Sequence, residues 1–169
     1  YDAGAVRHAD CHTRIMYKLY KRDQTGLHYH EVWEQDGAVI EHFGQSGMRG
    51  ECRRHEIPEG ANEDQLMEAL LESAALSGFE EIADEDLIEI RVEIARPKRK
   101  DDNDLAERHV LEDRLDDLLG ETGLGHCDGG CMNKESMEAF CFVPDADIAM
   151  DVIREDLSDA GLIELRRVW

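Results

Sequence analysis

The chain has 169 residues, enough for one ordinary domain or two small ones with a real core. Forty acidic residues against nineteen basic ones give a net charge of −21, which argues against general nucleic-acid binding and against anionic membrane surfaces, since both draw on Lys and Arg. A hydrophobic fraction of 41% argues against wholesale disorder, and no apolar run of about 18 residues offers a membrane span.

Residues 1–13 read as an extension ahead of the first strand-like run. From Arg14 to Tyr20, Ile15, Tyr17 and Leu19 share one face of a predicted strand. From Leu27 to Glu34, Leu27, Tyr29 and Trp33 alternate with His28, His30 and Val32. Asp36-Gly37 is a strong hairpin signal before a strand over Ala38 to Phe43, and a short strand follows from Cys52 to Ile57. Pro58 and Gly60 break the sheet. Asn62, with Gln65 at the third helical position, then opens a helix carrying Leu66, Met67, Leu70, Leu71 and Ala74, with Gly78 as its terminator.

The second part begins with a strict alternation in which Ile88, Ile90, Val92 and Ile94 face one way. Residues 96–104 carry a basic run and then an acidic one, without an apolar side chain, and read as a connection. Leu105 to Leu119 places Leu111, Leu115, Leu118 and Leu119 on one helical stripe ending at Gly120. The segment from Gly123 to Asn133 is glycine-rich, with a short strand expected near Leu124 to Cys127. A strand over Glu135 to Val143, a helix opened by Pro144-Asp145 and closed by Gly161, and a strand over Leu162 to Trp169 complete the chain. The order βαββαβ is the ferredoxin-like plan. The expected fold is therefore α+β, with a small antiparallel sheet and one helix over residues 14–86 and a ferredoxin-like unit over 87–169.

The stretch Phe43-Gly44-Gln45-Ser46-Gly47-Met48-Arg49-Gly50-Glu51 resembles the W-G-R-x-G-x-x-G-Q pattern of WGR domains. Tyr29-His30-Glu31-Val32 is similar to that family's aromatic strand, and Gly78-Phe79 stands in place of its glycine-aromatic ending. The resemblance covers Tyr17 to Ile82. Within that span the glycines three apart suit tight turns with φ > 0. In nuclear poly-ADP-ribosylating enzymes the domain engages DNA ends and neighbouring domains, which implies a binding loop of Phe43, Gly44, Gln45, Gly47, Arg49 and Gly50, extended by Arg53 and Arg54. Phe43 and Gln45 replace the family's Trp and Arg, and losing the guanidinium loses a bidentate phosphate ligand. DNA affinity is accordingly expected to be weak, and carried by Arg49, Arg53 and Arg54 where it exists.

Metal ligands are sought among the thiols and imidazoles. His126, Cys127, Cys131 and Cys141 can supply soft ligands, but no second Cys-x-x-Cys or His-x-x-x-His pair accompanies them, so no metal and no cofactor are expected. His28 and His30 share a strand face, with His42 placed as a third imidazole on the next strand. No phosphate loop and no nucleophile elbow is present, and no reaction is assigned. Five cysteines without disulfide-framework spacing suit a reducing, cytoplasmic setting.

Residues 101–169 carry a net −13 against −8 for residues 1–100. The two predicted helices of the second part turn Asp113, Asp116, Asp117, Asp151 and Glu155 away from their apolar stripes. The expected function is a non-catalytic interaction protein docking a basic protein through this face, since complementary charge raises association rate and selects partners. In charge and size the chain is similar to immunity proteins that neutralise basic nucleases. The alternatives are a nucleic-acid-associated module acting through the WGR-like loop, and a small metal- or ligand-binding protein.

Overall fold

The computed structural model describes residues 16–95, 104–160 and 165–168, with side chains given for 16–95 and 108–160. The extension at 1–13 and the connection at 96–103 lie outside them. The fold is α+β, and the described residues form two antiparallel sheets and three α-helices. None of these helices is long and apolar enough to cross a membrane.

The first sheet takes β1 (Met16–Asp23), β2 (Gly26–Gln35), β3 (Ala38–Gln45), β4 (Glu51–Glu56) and a two-residue β5 (Glu80–Glu81), in the order β4-β3-β2-β1-β5. Asp36 and Gly37 both adopt positive φ, 52° and 70°, as a two-residue hairpin turn demands. β1 runs three residues beyond the expected Tyr20. Asp23 ends it by accepting hydrogen bonds from the Thr25 N–H and Oγ1 at 2.8 and 2.6 Å, which closes a tight turn to Gly26.

The helix α1 (Glu63–Leu76) has the capping box expected of Asn62 and Gln65. Beyond its end Gly78 takes φ 89° and the Phe79 N–H bonds the Ala74 carbonyl at 3.1 Å, satisfying a terminal acceptor. Met67 of α1 packs on Val32 and Val39, covering one face of the sheet.

The second sheet takes β6 (Ile88–Ala95), β7 (His126–Met132), β8 (Ser136–Val143) and β9 (Leu165–Val168), in the order β7-β8-β6-β9. Its helices are α2 (Asp104–Glu121) and α3 (Ala146–Asp159). The alternating residues Ile90, Val92 and Ile94 meet Leu111, Leu115 and Leu119 of α2 and Ile153 and Leu157 of α3 in the largest core among the described residues. Asp145 caps α3 by accepting the Ile148 N–H at 3.1 Å.

The glycine-rich segment departs from its reading as a loop with a four-residue strand. It forms a seven-residue edge strand, β7, with a register irregularity between Cys127 and Gly130. Gly129 takes φ 78°, and a Cβ on Gly130 would meet the Glu138 carbonyl oxygen, so the glycines let an edge strand buckle against β8. Gly161 lies outside the described residues.

Candidate functional site

Alternation along β2 puts Leu27, Tyr29, Glu31 and Trp33 on the face of the first sheet away from α1. Tyr29 and Glu31 are buried there. An acid in that row must find partners, because a buried unpaired carboxylate is costly. Glu31 Oε1 pairs with Lys18 Nζ at 2.5 Å, and Oε2 accepts the Nδ1–H of His42 at 2.8 Å. On the other side of the ring, His42 Nε2 lies 2.9 Å from the Tyr29 hydroxyl, which also donates to the Glu121 carbonyl at 3.4 Å. Burial first, and the Glu31 charge second, push the Tyr29 phenol well above its ordinary value. A hydroxyl–imidazole–carboxylate row has the connectivity of a nucleophile relay. Tyr29 and its hydroxyl, however, are shut in by Gly44, Gly50 and Gly123.

This brace is where the two halves meet. The Gly47 N–H bonds the Thr122 carbonyl at 2.9 Å, Lys18 Nζ reaches the Gly125 carbonyl at 3.3 Å, and Arg22 pairs with Asp145 at 2.5 Å. Ile148 packs on both the second core and the cluster of Tyr20, Leu27 and Tyr29.

The loop residues singled out by the glycine register are dispersed. Gly47 alone of the three register glycines has positive φ, at 90°, and a Cβ on it would press on Ile148 at 2.8 Å. Gly44 and Gly50 instead make room for Tyr29, a close-approach requirement in place of the expected turns. Gln45 Nε2 donates to the Thr25 carbonyl at 3.1 Å. Phe43 lies on the α1 side, stacked on His30, with the Arg53 guanidinium 4.3 Å above its ring. Arg53 also pairs with Glu51, and Arg54 with Glu56 while donating to the Asp36 carbonyl. These two arginines leave β4 on opposite faces.

On the α1 side, Glu41 takes hydrogen bonds from His30 and His55 at 2.8 and 2.9 Å. His42 lies on the opposite face, bonded to Glu31, so the three imidazoles do not converge. Burial alone would raise the Glu41 carboxyl, but the His30 and His55 hydrogen bonds outweigh it and hold it below the usual range. A depressed folded pKa adds stability above the unfolded value, near 4.3, that is lost as pH falls through the folded one. Glu41→Gln is therefore expected to destabilise by about 1–3 kcal/mol at pH 7. The gap from the wild type should be smaller at about pH 3 than at pH 7, because protonation of the native carboxyl removes the charge that the two histidines hold. Urea titrations at the two pH values check this, and a gap of equal size at both would refute it.

The four thiol and imidazole candidates divide between the faces of the second sheet. Cys127 and Cys141 lie on the helix-covered side, while His126 stacks on Phe142 and Cys131 pairs opposite Glu138 on the other. No cluster of three or more metal-ligating side chains occurs among the described residues.

One loop residue does join the acidic helices. Arg49 reaches across to Glu121 at 2.7 Å and forms one wall of an open groove of about 450 Å³. Asp113, Asp117, Arg114, Asp156 and the apolar Val110 and Leu118 line the rest. Arg114 is held by Asp156 through Nε and one terminal nitrogen at 2.7 and 3.0 Å. Asp113 and Asp117 are exposed and have no ion-pair partner among the described residues. Of the other acids expected on this face, Asp116 turns inward, its Oδ1 accepting the Cys127 N–H at 3.0 Å. Asp151 and Glu155 are exposed on α3 but do not line the groove. Of the five acids that sequence periodicity put on one face, Asp113 and Asp117 line the groove, and the role of Arg49 and of the α2–α3 ion pair depends on contacts between distant segments.

No protein-family model matches this chain, and neither does any curated protein or solved structure.

Proposed function

We propose that this chain is a non-catalytic interaction protein that docks a basic protein partner in the groove between Arg49 and the helices α2 and α3. In this reading residues 14–86 are a WGR-like module and residues 87–169 a ferredoxin-like one. The strand order β7-β8-β6-β9, with both helices packed on one face, supports the second assignment. The observation that carries the functional reading is the pair of carboxylates, Asp113 and Asp117, without an ion-pair partner among the described residues and beside apolar surface on Val110 and Leu118. Val110 is 67% exposed. A lysine or arginine side chain suits such a site, laying its stem on the apolar residues and its charge against the carboxylates. Arg49 and Arg114 are already paired, with Glu121 and Asp156, and leave the net charge of the groove negative.

The test is affinity capture from the source cells with the full chain and with Asp113→Lys/Asp117→Lys. The wild type is expected to retain a basic protein, with association at least about tenfold faster than the variant at low salt and a steeper loss on adding salt. Capture of that protein with unchanged kinetics by the variant would overturn the groove as the docking face. Retention of a basic nuclease, with loss of its activity, would make the docking an immunity-type neutralisation.

A further inference from the structure

The sheet topology sets two thiols against one another. Cys127 on β7 and Cys141 on β8 are directly opposed in the antiparallel register. Opposed residues in such a ladder alternate between pairs that exchange backbone hydrogen bonds and pairs that do not, and the latter bring Cα atoms to about 4.5 Å. The Cys127 N–H is given to Asp116 Oδ1 at 3.0 Å and so is not exchanged with Cys141. The pair is of the closer kind. Its spacing falls within the Cα separation of about 4.4–6.8 Å that a disulfide spans.

Both side chains point to the helix-covered face, where Cys127 packs against the core cluster that holds Cys141. Cys141 is fully buried, whereas Cys127 is half-buried and open to a reagent. The other described thiols have different surroundings: Cys131 lies across the sheet and Cys52 belongs to β4. The edge strand that carries Cys127 is held to the sheet on one side only and is interrupted by its bulge.

We propose that Cys127 and Cys141 form a redox pair that closes to a cross-strand disulfide on meeting a disulfide oxidant of the glutathione class. The Cys127 thiol gives up its proton, and its thiolate attacks one sulfur of the oxidant. A mixed disulfide forms and one glutathione thiolate leaves, taking up a proton. Cys141 then loses its proton and attacks Cys127 Sγ, releasing the second glutathione as its thiol. The oxidant disulfide is reduced to two thiols as the protein's two thiols become one disulfide. The bond staples the β7–β8 hairpin.

The experiment incubates the full chain with glutathione disulfide, alkylates free thiols and maps linked peptides without reduction. Trypsin cleavage after Arg114, Lys134 and Arg154 places the pair on peptides 115–134 and 135–154. The first peptide also carries Cys131, so the mapping is repeated with Cys131→Ser, an exposed position. A crosslink between these peptides that persists in Cys131→Ser is expected, with the loss of two free thiols from that pair. The melting temperature is expected to rise by about 5–10 °C and return on adding dithiothreitol. Cys127→Ser should abolish both the link and the rise. A link lost in Cys131→Ser, reaction that stops at glutathione on Cys127, or unmodified thiols at both positions would overturn the proposal. Because the mapping is made on the wild type and on an exposed variant, it does not depend on whether a core substitution folds.

Discussion

Replacing Glu31 by alanine is expected to lower the unfolding free energy by about 3–5 kcal/mol, the range for removing one partner of a buried charged pair. The Glu31 side chain is 3% exposed and joins Lys18 to His42. Without it Lys18, at 22% exposure, is left with the Gly125 carbonyl, and the His42 Nδ1–H loses its acceptor. A buried donor left unsatisfied carries its full desolvation penalty, which exceeds the net value of the bond it made. Urea denaturation gives the measurement. Adding Lys18→Met to the alanine variant should recover about 1 kcal/mol or more, because the second substitution removes a charge that the first left unpaired. A Glu31→Ala effect below about 1 kcal/mol would show that the brace does not hold the sheet.

Gly123→Ala is expected to destabilise by about 3 kcal/mol or more, while Gly120→Ala, three residues earlier, should be neutral or stabilise by up to about 1 kcal/mol. Gly123 has φ 61°, and a Cβ there would fall on the ring of Tyr29. Tyr29 is fully buried between the halves and has no space to retreat into. Gly120 lies in α2 with nothing within 4 Å of an added Cβ, so alanine there gains helix propensity without a clash. Equal effects at the two positions in thermal or urea melts would refute the close-approach argument.

Much of the architecture was legible because its signals are local. The alternation from Ile88 to Ile94 survives in the sequence because only one face of β6 is covered, so polar residues are tolerated at every second position. The Asn62 and Gln65 capping box and the Asp36-Gly37 turn are also short-range chemistry. The strand β7 was not legible at full length. Its glycines lower strand propensity, and what makes it a strand is pairing with β8.

The brace had a usable signal. Glu31 occupies the same face as Leu27, Tyr29 and Trp33, and an acid within an apolar row marks a buried charge in need of partners. Its partners Lys18 and His42 arrive from neighbouring strands in a register that composition does not reveal. The glycine register was visible, but two of its three members answer to the bulk of Tyr29, a requirement invisible without the fold.

The seam around Tyr29 also bears on how the chain comes apart. Its ring is walled by Gly44 and Gly50 of the first half and by Gly123 of the second, and the Gly47 amide is tied to Thr122. Releasing either half uncovers an aromatic core residue, parts Lys18 from the Gly125 carbonyl and frees the cap of α3 from Arg22. Partial openings at the seam are therefore penalised on both sides, and the two sheets are expected to exchange their amides as one cooperative unit, which hydrogen exchange would show. In the docking proposed above, a basic partner would meet Asp113 and Asp117 on a helix packed into that unit, which limits the ordering entropy lost on contact.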